Sequence, residues 1–230
     1  MNLNTAMQLI AIAAIPLIFA ITLHEAAHGW VASKFGDTTA LMLGRVTLNP
    51  AKHIDPIGTV LFPIITMLLS GFIFGWAKPV PVNFNHLKNP RRDAILVALA
   101  GPLSNFAMAI LWAIIAKLML MVYVSDTHPI LKTTATFIHL SAQFGILINC
   151  LLMVLNLIPI PPLDGSRVVS SLIPPSAAYY YEKIEPYGIW ILLALLIFGV
   201  LGYVLWPPIH ALTSLISSTF GIPTLQSLRR

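Results

Sequence analysis

From Ala6 to Leu23 the chain carries no charged side chain, and apolar runs of similar character recur at 93–123, 133–157 and 188–206. A helical run of about 20 apolar residues matches the hydrocarbon thickness of a bilayer. The fold class expected is therefore an all-α integral membrane protein, a polytopic helical bundle with about four full crossings. Composition agrees, since 57% of the 230 residues are hydrophobic and only 9% are charged, against about 25% charged in soluble domains. The net charge of +5 sits in short loops between the apolar runs. It reads as a topology signal in a lipid bilayer and not as a surface for nucleic acid. With Cys150 as its single cysteine the chain forms no internal disulfide, and this thiol is expected to be buried and inert. The first apolar run lacks a basic leader, so it is read as a retained helix. The whole of 1–230 reads as one membrane domain with its core in 6–165.

In chain order, a first helix is expected over 6–34, with Pro16 allowing a bend. The polar stretch 37–55 alternates Leu, Val and Thr, which favours short extended segments. The run 57–74 lies at the lower limit for a crossing and is weakened by Pro63 and Gly71. Around 76–82, Pro79 and Pro81 remove the backbone donors of one edge while Val80 and Val82 keep theirs. This reads as a short strand able to pair on one side only. The helix at 93–123 contains Gly101-Pro102-Leu103-Ser104-Asn105, where small residues allow close helix contact. The helix at 133–157 carries a small and polar stripe of Gly145, Asn149 and Asn156, and breaks at 159–165. Irregular backbone at membrane depth is tolerated only where protein shields it or it lines a cavity, which places Asp164 at a cavity. Tyr179, Tyr180 and Tyr181 read as an interfacial belt. A last crossing at 188–206 is expected to stop at Pro207-Pro208, leaving 209–220 at the interface.

The chemistry concentrates at His24-Glu25-Ala26-Ala27-His28. On a helix, His24 and His28 stand one turn apart on one face. Two imidazoles so placed can share a zinc ion, with Glu25 beside them to handle protons. Ionisable groups within an apolar helix are costly, and functional use is their default reading. A zinc hydrolase needs a third protein ligand and an open position for water, and Asp164 is the best candidate. His53, His86, His128, His139 and His210 read as loop, interfacial or packing residues.

Taken together, His24-Glu25-x-x-His28, Gly101-Pro102-x-x-Asn105 and Asn156-x-x-Pro159-x-x-x-x-Asp164-Gly165 resemble the site-2 protease family of intramembrane zinc metalloproteases, in a short form without a PDZ domain. The resemblance covers 10–165. It implies one zinc ion held by His24, His28 and Asp164, Glu25 as general base, and Asn156 near the substrate carbonyl. It also implies a single-span membrane protein as substrate. The stretch 37–83 is longer than the minimal family core. Because a substrate helix must unwind before its amides are accessible, the strand at 76–82 is expected to hold it by strand addition. Trp76, Val80, Val82 and Asn105 are the residues expected to contact substrate. A zinc transporter or scaffold is the alternative from another class, since such proteins also place His and Asp in broken helices.

Topology sets a condition. Asp164 reaches the histidines only if an even number of full crossings follows the first helix, so 57–74 is expected to re-enter or cross incompletely, or the Pro-Val-Pro strand to return through the protein interior. Lys34, Arg45, Lys52, Lys78, Lys88, Arg91, Arg92, Arg167 and Lys183 then share one face of a cell or inner membrane. The positive-inside rule makes that face cytoplasmic, with the active site opening toward it and the N-terminus outside.

Overall fold

The computed structural model describes residues 3–61, 75, 77–125 and 128–223. The first helix, α1 (Leu3–Lys34), is apolar almost throughout. It ends where Gly36 takes φ +116° and the Asp37 N–H folds back to Ala32 O at 3.0 Å. Glycine enters that left-handed region without a Cβ penalty. A single turn, α2 (Thr39–Met42), and a 3-10 turn at Pro50–Lys52 follow. The 37–55 stretch thus forms helical turns and not the extended segments expected, because Asp37 and Asn49 cap them locally: Thr39 N–H donates to Asp37 Oδ1 and Ala51 N–H to Asn49 Oδ1, both at 3.1 Å.

Pro56–Leu61 forms a π-helical turn, and the expected re-entry of 57–74 lies outside the described residues beyond Leu61. His53 and Lys78, which flank that stretch, are hydrogen-bonded through Lys78 N–H to His53 O at 3.0 Å. No β-strand occurs among the described residues. Residues 77–83 carry no regular secondary structure, correcting the expected strand, and Trp76 lies outside the described residues. The physical reason is that several of their polar backbone groups go to side chains from elsewhere in the chain. Arg45 Nη2 donates to Lys78 O and Pro79 O, and Asn83 N–H donates to Asp37 Oδ2.

Helix α3 (Pro90–Ser125) starts with proline at its first position. Asp93 reaches back to accept the Asn89 N–H at 2.8 Å, which closes the first turn. Helix α4 (Pro129–Asn156) returns antiparallel to it. Then come α5 (Asp164–Leu172), α6 (Pro175–Glu182), α7 (Gly188–Ile197) and α8 (Val200–Phe220). Here the expected C-terminal crossing is corrected. Gly199, at φ 74°, breaks the apolar run early, and the helix that follows continues through Pro207 and Pro208 to Phe220. Ten residues of α7 rise only about 15 Å, half of the hydrocarbon core.

Among the described residues, four helices are long and apolar enough to cross a membrane: Met7–Lys34, Pro90–Tyr123, Pro129–Asn156 and Val200–Phe220. Their inner faces pack around Trp112, Ile146, Cys150, Leu205 and Ile209. Their outer faces display Leu9, Ile10, Leu103, Leu111, Leu118 and Leu215, an apolar surface far larger than a water-soluble chain exposes. Small residues set the α1–α3 contact: Ala20, Ala32, Ala94 and Ala98 are all buried there or beside it.

Asp37 ties the end of α1 to the chain leading into α3. Its carboxylate is fully buried and accepts Thr39 N–H, Thr39 Oγ1–H and Asn83 N–H, with His86 Nδ1 3.4 Å away. Burial alone would raise its pKa, but the hydrogen bonds from Thr39 and Asn83 and the nearby His86 outweigh it and hold the group below its ordinary value. Such a lowered carboxylate stabilises the fold above the ordinary carboxylate range, and that contribution is lost as pH falls through it. Asp37→Ala takes away the acceptor of the part-buried Thr39 and Asn83 N–H groups and is expected to cost about 2 kcal/mol. Thermal unfolding of the detergent-solubilised protein should show a midpoint about 4–8 °C lower.

Candidate metal centre

His24 and His28 are buried and lie on α1 one turn apart, where α3 crosses closely enough to fix both rings. The His24 Nδ1–H donates to Asn105 Oδ1 at 2.7 Å, and the His28 Nδ1–H donates to Val97 O, also at 2.7 Å. Both partners are pure acceptors, so each Nδ1 must carry a hydrogen, which leaves Nε2 as the nitrogen that each neutral ring offers to a metal. The two Nε2 atoms face each other at 3.1 Å.

Asp164 arrives from the far end of the sequence because α4 ends at Asn156 and the proline-rich turn redirects the chain into α5. Gly165 makes this possible, since a Cβ there would come within 2.6 Å of Ile158 O. Asp164 Oδ2 lies 3.3 Å from His24 Nε2, and Asp164 Oδ1 lies 3.3 Å from His28 Nε2. All three ligand atoms fall within 4.8 Å of one another.

The arrangement fits a zinc ion on its own terms. The Nε2–Nε2 separation of 3.1 Å is close to the spacing of about 3.3 Å expected for two nitrogens bound tetrahedrally at about 2.0–2.1 Å from one metal. Asp164 Oδ2 is buried without a hydrogen-bond donor, a state that a cation relieves. Gly101 leaves the space: a Cβ there would stand 2.7 Å from His24 Nε2 and closer still to His28 Nε2.

The profile of Peptidase family M50 matches residues 12–199, which contain every one of these side chains. The chain belongs to peptidase family M50. YwhC of Bacillus subtilis is 41% identical over 197 residues, covering 86% of this chain and 85% of that protein. Rip2 of Mycobacterium tuberculosis (strain H37Rv) is 27% identical over 194 residues, covering 82% and 70%. Rip2 of Mycolicibacterium smegmatis is 28% identical over 180 residues, covering 78% and 64%. All three are named as candidate zinc metalloproteases. No solved structure matches the chain significantly. This M50 protein is thus a multi-pass membrane zinc metalloprotease, and the transporter alternative is set aside.

The other expected site residues of this M50 chain are distributed differently. Glu25, half-buried, does not touch the three ligands through any hydrogen bond; its Oε2 accepts the Val80 N–H at 2.7 Å. The expectation that the Val80 amide is free to pair with substrate is therefore corrected. Because Pro79 and Pro81 have no N–H, Val80 supplies the sole backbone donor of that tripeptide, and Glu25 takes it. The Val80 side chain is buried against α1, and Val82 packs with Ala32, Leu87, Ala94 and Val97. Asn105 is 0% exposed and lies behind His24, so it orients a ligand and does not face substrate as expected. Asn156 is half-buried, with Nδ2 donating to Leu152 O at 2.9 Å. The signal for Asn105 was its spacing: Gly101 and Asn105 share a face of α3, so the residue that makes room for an imidazole is followed, one turn on, by its partner.

Proposed function

We propose that this M50 protease hydrolyses peptide bonds in or near the transmembrane segments of single-span membrane proteins, and that 1–230 acts as one membrane-embedded unit. The convergence of His24, His28 and Asp164 at 3.1–3.3 Å, with both histidines on a helix long and apolar enough to span, carries this reading.

In this mechanism His24, His28 and Asp164 would hold the metal, and the Nδ1 hydrogen bonds to Asn105 and Val97 turn both Nε2 atoms toward it. When bound, zinc acidifies water and polarises a carbonyl oxygen. Glu25 accepts the proton of the attacking water and passes it to the leaving amine. The Val80 N–H orients the Glu25 carboxylate for that transfer. Asn156, at the end of α4 just before the turn to Asp164, is proposed to hydrogen-bond the substrate carbonyl. Substrate must reach Glu25 past 77–83, so Val82 and Trp76 remain proposed neighbours of the unwound segment.

Orientation follows from charge. Lys88 N–H donates to Phe35 O, Arg45 binds Lys78 O, and Arg91 binds Ser171 O and Ile173 O. These contacts support one basic end of the bundle, which we assign to the cytoplasm, with the N-terminus outside. Reconstituted protein incubated with a panel of single-span proteins should cut within or beside the span, lose cleavage to a chelator and regain it with zinc. Cleavage confined to soluble peptides would refute the proposal.

A further inference from the structure

We propose that Asn149 is a positioning residue for the metal centre. Acting through Asn105, it dictates which ring nitrogen of His24 carries the hydrogen and so keeps Nε2 available to the metal. The inference rests on His24, His28 and Asp164 being the zinc ligands.

The argument follows a chain of hydrogen bonds whose direction is fixed at its far end. The carbonyl of Gly145 only accepts, so the side chain facing it at 2.9 Å is the Asn149 amide nitrogen. That leaves Asn149 Oδ1 pointing the other way, where it accepts from Asn105 Nδ2 at 2.9 Å. The second hydrogen of Asn105 Nδ2 goes to Ala20 O, one turn before His24 on α1, at 3.2 Å. Both amide hydrogens being used, Asn105 Oδ1 must face His24, and it accepts the Nδ1–H at 2.7 Å.

A flipped Asn105 would set its oxygen against two acceptors, Ala20 O and Asn149 Oδ1. It would also donate to His24 Nδ1 and drive the ring hydrogen onto Nε2, the atom that faces His28 and Asp164. Asn105 and Asn149 are both 0% exposed, so water does not stand in for a lost partner. His28 needs no such device, since its Nδ1–H meets a backbone carbonyl. Gly145 also brings the helices together: a Cβ there would come within 2.6 Å of Trp112 Cδ2 on α3. Partners beyond the ligands themselves commonly set ring orientation and metal affinity.

A merely structural asparagine pair between α3 and α4 would make a different prediction, and single and double variants of the full chain in detergent separate the two. Asn149→Leu keeps the branched shape of the side chain and removes the acceptor. Asn149→Asp, protonated in so buried a place, restores both bonds: its C=O accepts from Asn105 and its O–H donates to Gly145. Zinc affinity by chelator competition is read beside the melting temperature of the metal-free protein. Asn149→Leu should weaken zinc binding by about 10-fold, Asn149→Asp should retain most of the wild-type affinity, and Asn149→Leu should add no loss in an Asn105→Leu background. Should Asn149→Leu not fold, Asn149→Ser, whose hydroxyl falls short of Asn105, is expected to show the same loss. Unchanged affinity in Asn149→Leu or Asn149→Ser overturns the proposal. So does an equal loss in the Asn105→Leu background, or Asn149→Asp as weak as Asn149→Leu with its melting temperature intact. Wild-type protein that binds no zinc would overturn the ligand assignment and this inference together, whereas zinc-binding wild type with an unaffected Asn149→Leu overturns this inference alone.

Discussion

Gly101→Ala will strip the protein of its metal although it alters no ligand. The added methyl would stand 2.7 Å from His24 Nε2 and closer to His28 Nε2. Neither ring has a cheap way to retreat, because each is anchored at Nδ1, to Asn105 Oδ1 and to Val97 O. Moving a ring therefore breaks a buried hydrogen bond, and leaving it in place forces a steric clash across the metal position. Zinc affinity should fall by ~100-fold or more, the upper end of what displaced ligand partners cost, and cleavage should fall with it. Metal content by atomic absorption, set beside Leu103→Ala on the outer face of the same helix, checks this. Full zinc content in Gly101→Ala would mean that the rings do not meet the metal through Nε2.

The second large effect separates chemistry from metal binding. Glu25→Gln keeps the shape of the side chain, and its amide oxygen still accepts the Val80 N–H that now reaches Glu25 Oε2 at 2.7 Å. What it loses is the ability to take and return a proton. Positioned acid–base groups contribute roughly 10²–10⁴-fold to rate, so cleavage should drop by about 10³-fold while zinc content stays at the wild-type level. A variant that lost zinc instead would make Glu25 part of the metal site. One that cleaved normally would move the proton transfer elsewhere.

The metal-binding pair was legible because the spacing of His24 and His28 is itself helical geometry, and because an apolar helix has few other uses for ionisable groups. The meeting of Asp164 with the two histidines was legible through the broken helix that precedes it, whereas the even-crossing condition turns on 57–74 and lies outside the described residues beyond Leu61. Three features escaped. The 77–83 segment alternates like a strand, yet Arg45, Glu25 and Asp37 take its polar groups, and side-chain partners from distant sequence override a local pattern. The C-terminal run was divided at its prolines, whereas Gly199 in the left-handed region makes the break and the proline pair is carried inside α8. The role of Asn105 depends on its being 0% exposed behind His24, and burial between two helices follows only from how they cross.

The distance in sequence between the paired imidazoles and Asp164 has a mechanical side. The nine-residue α5 that begins with Asp164 meets α1 at this point, so an ion held by His24, His28 and Asp164 would act as a rivet between distant parts of the polypeptide. Because His24, His28 and Asp164 meet only in the folded chain, the free energy of holding an ion there would add to the stability of the fold. Reactivity and cohesion are then set by the same atom, and a chelator is a solvent of the architecture as much as a poison of the reaction.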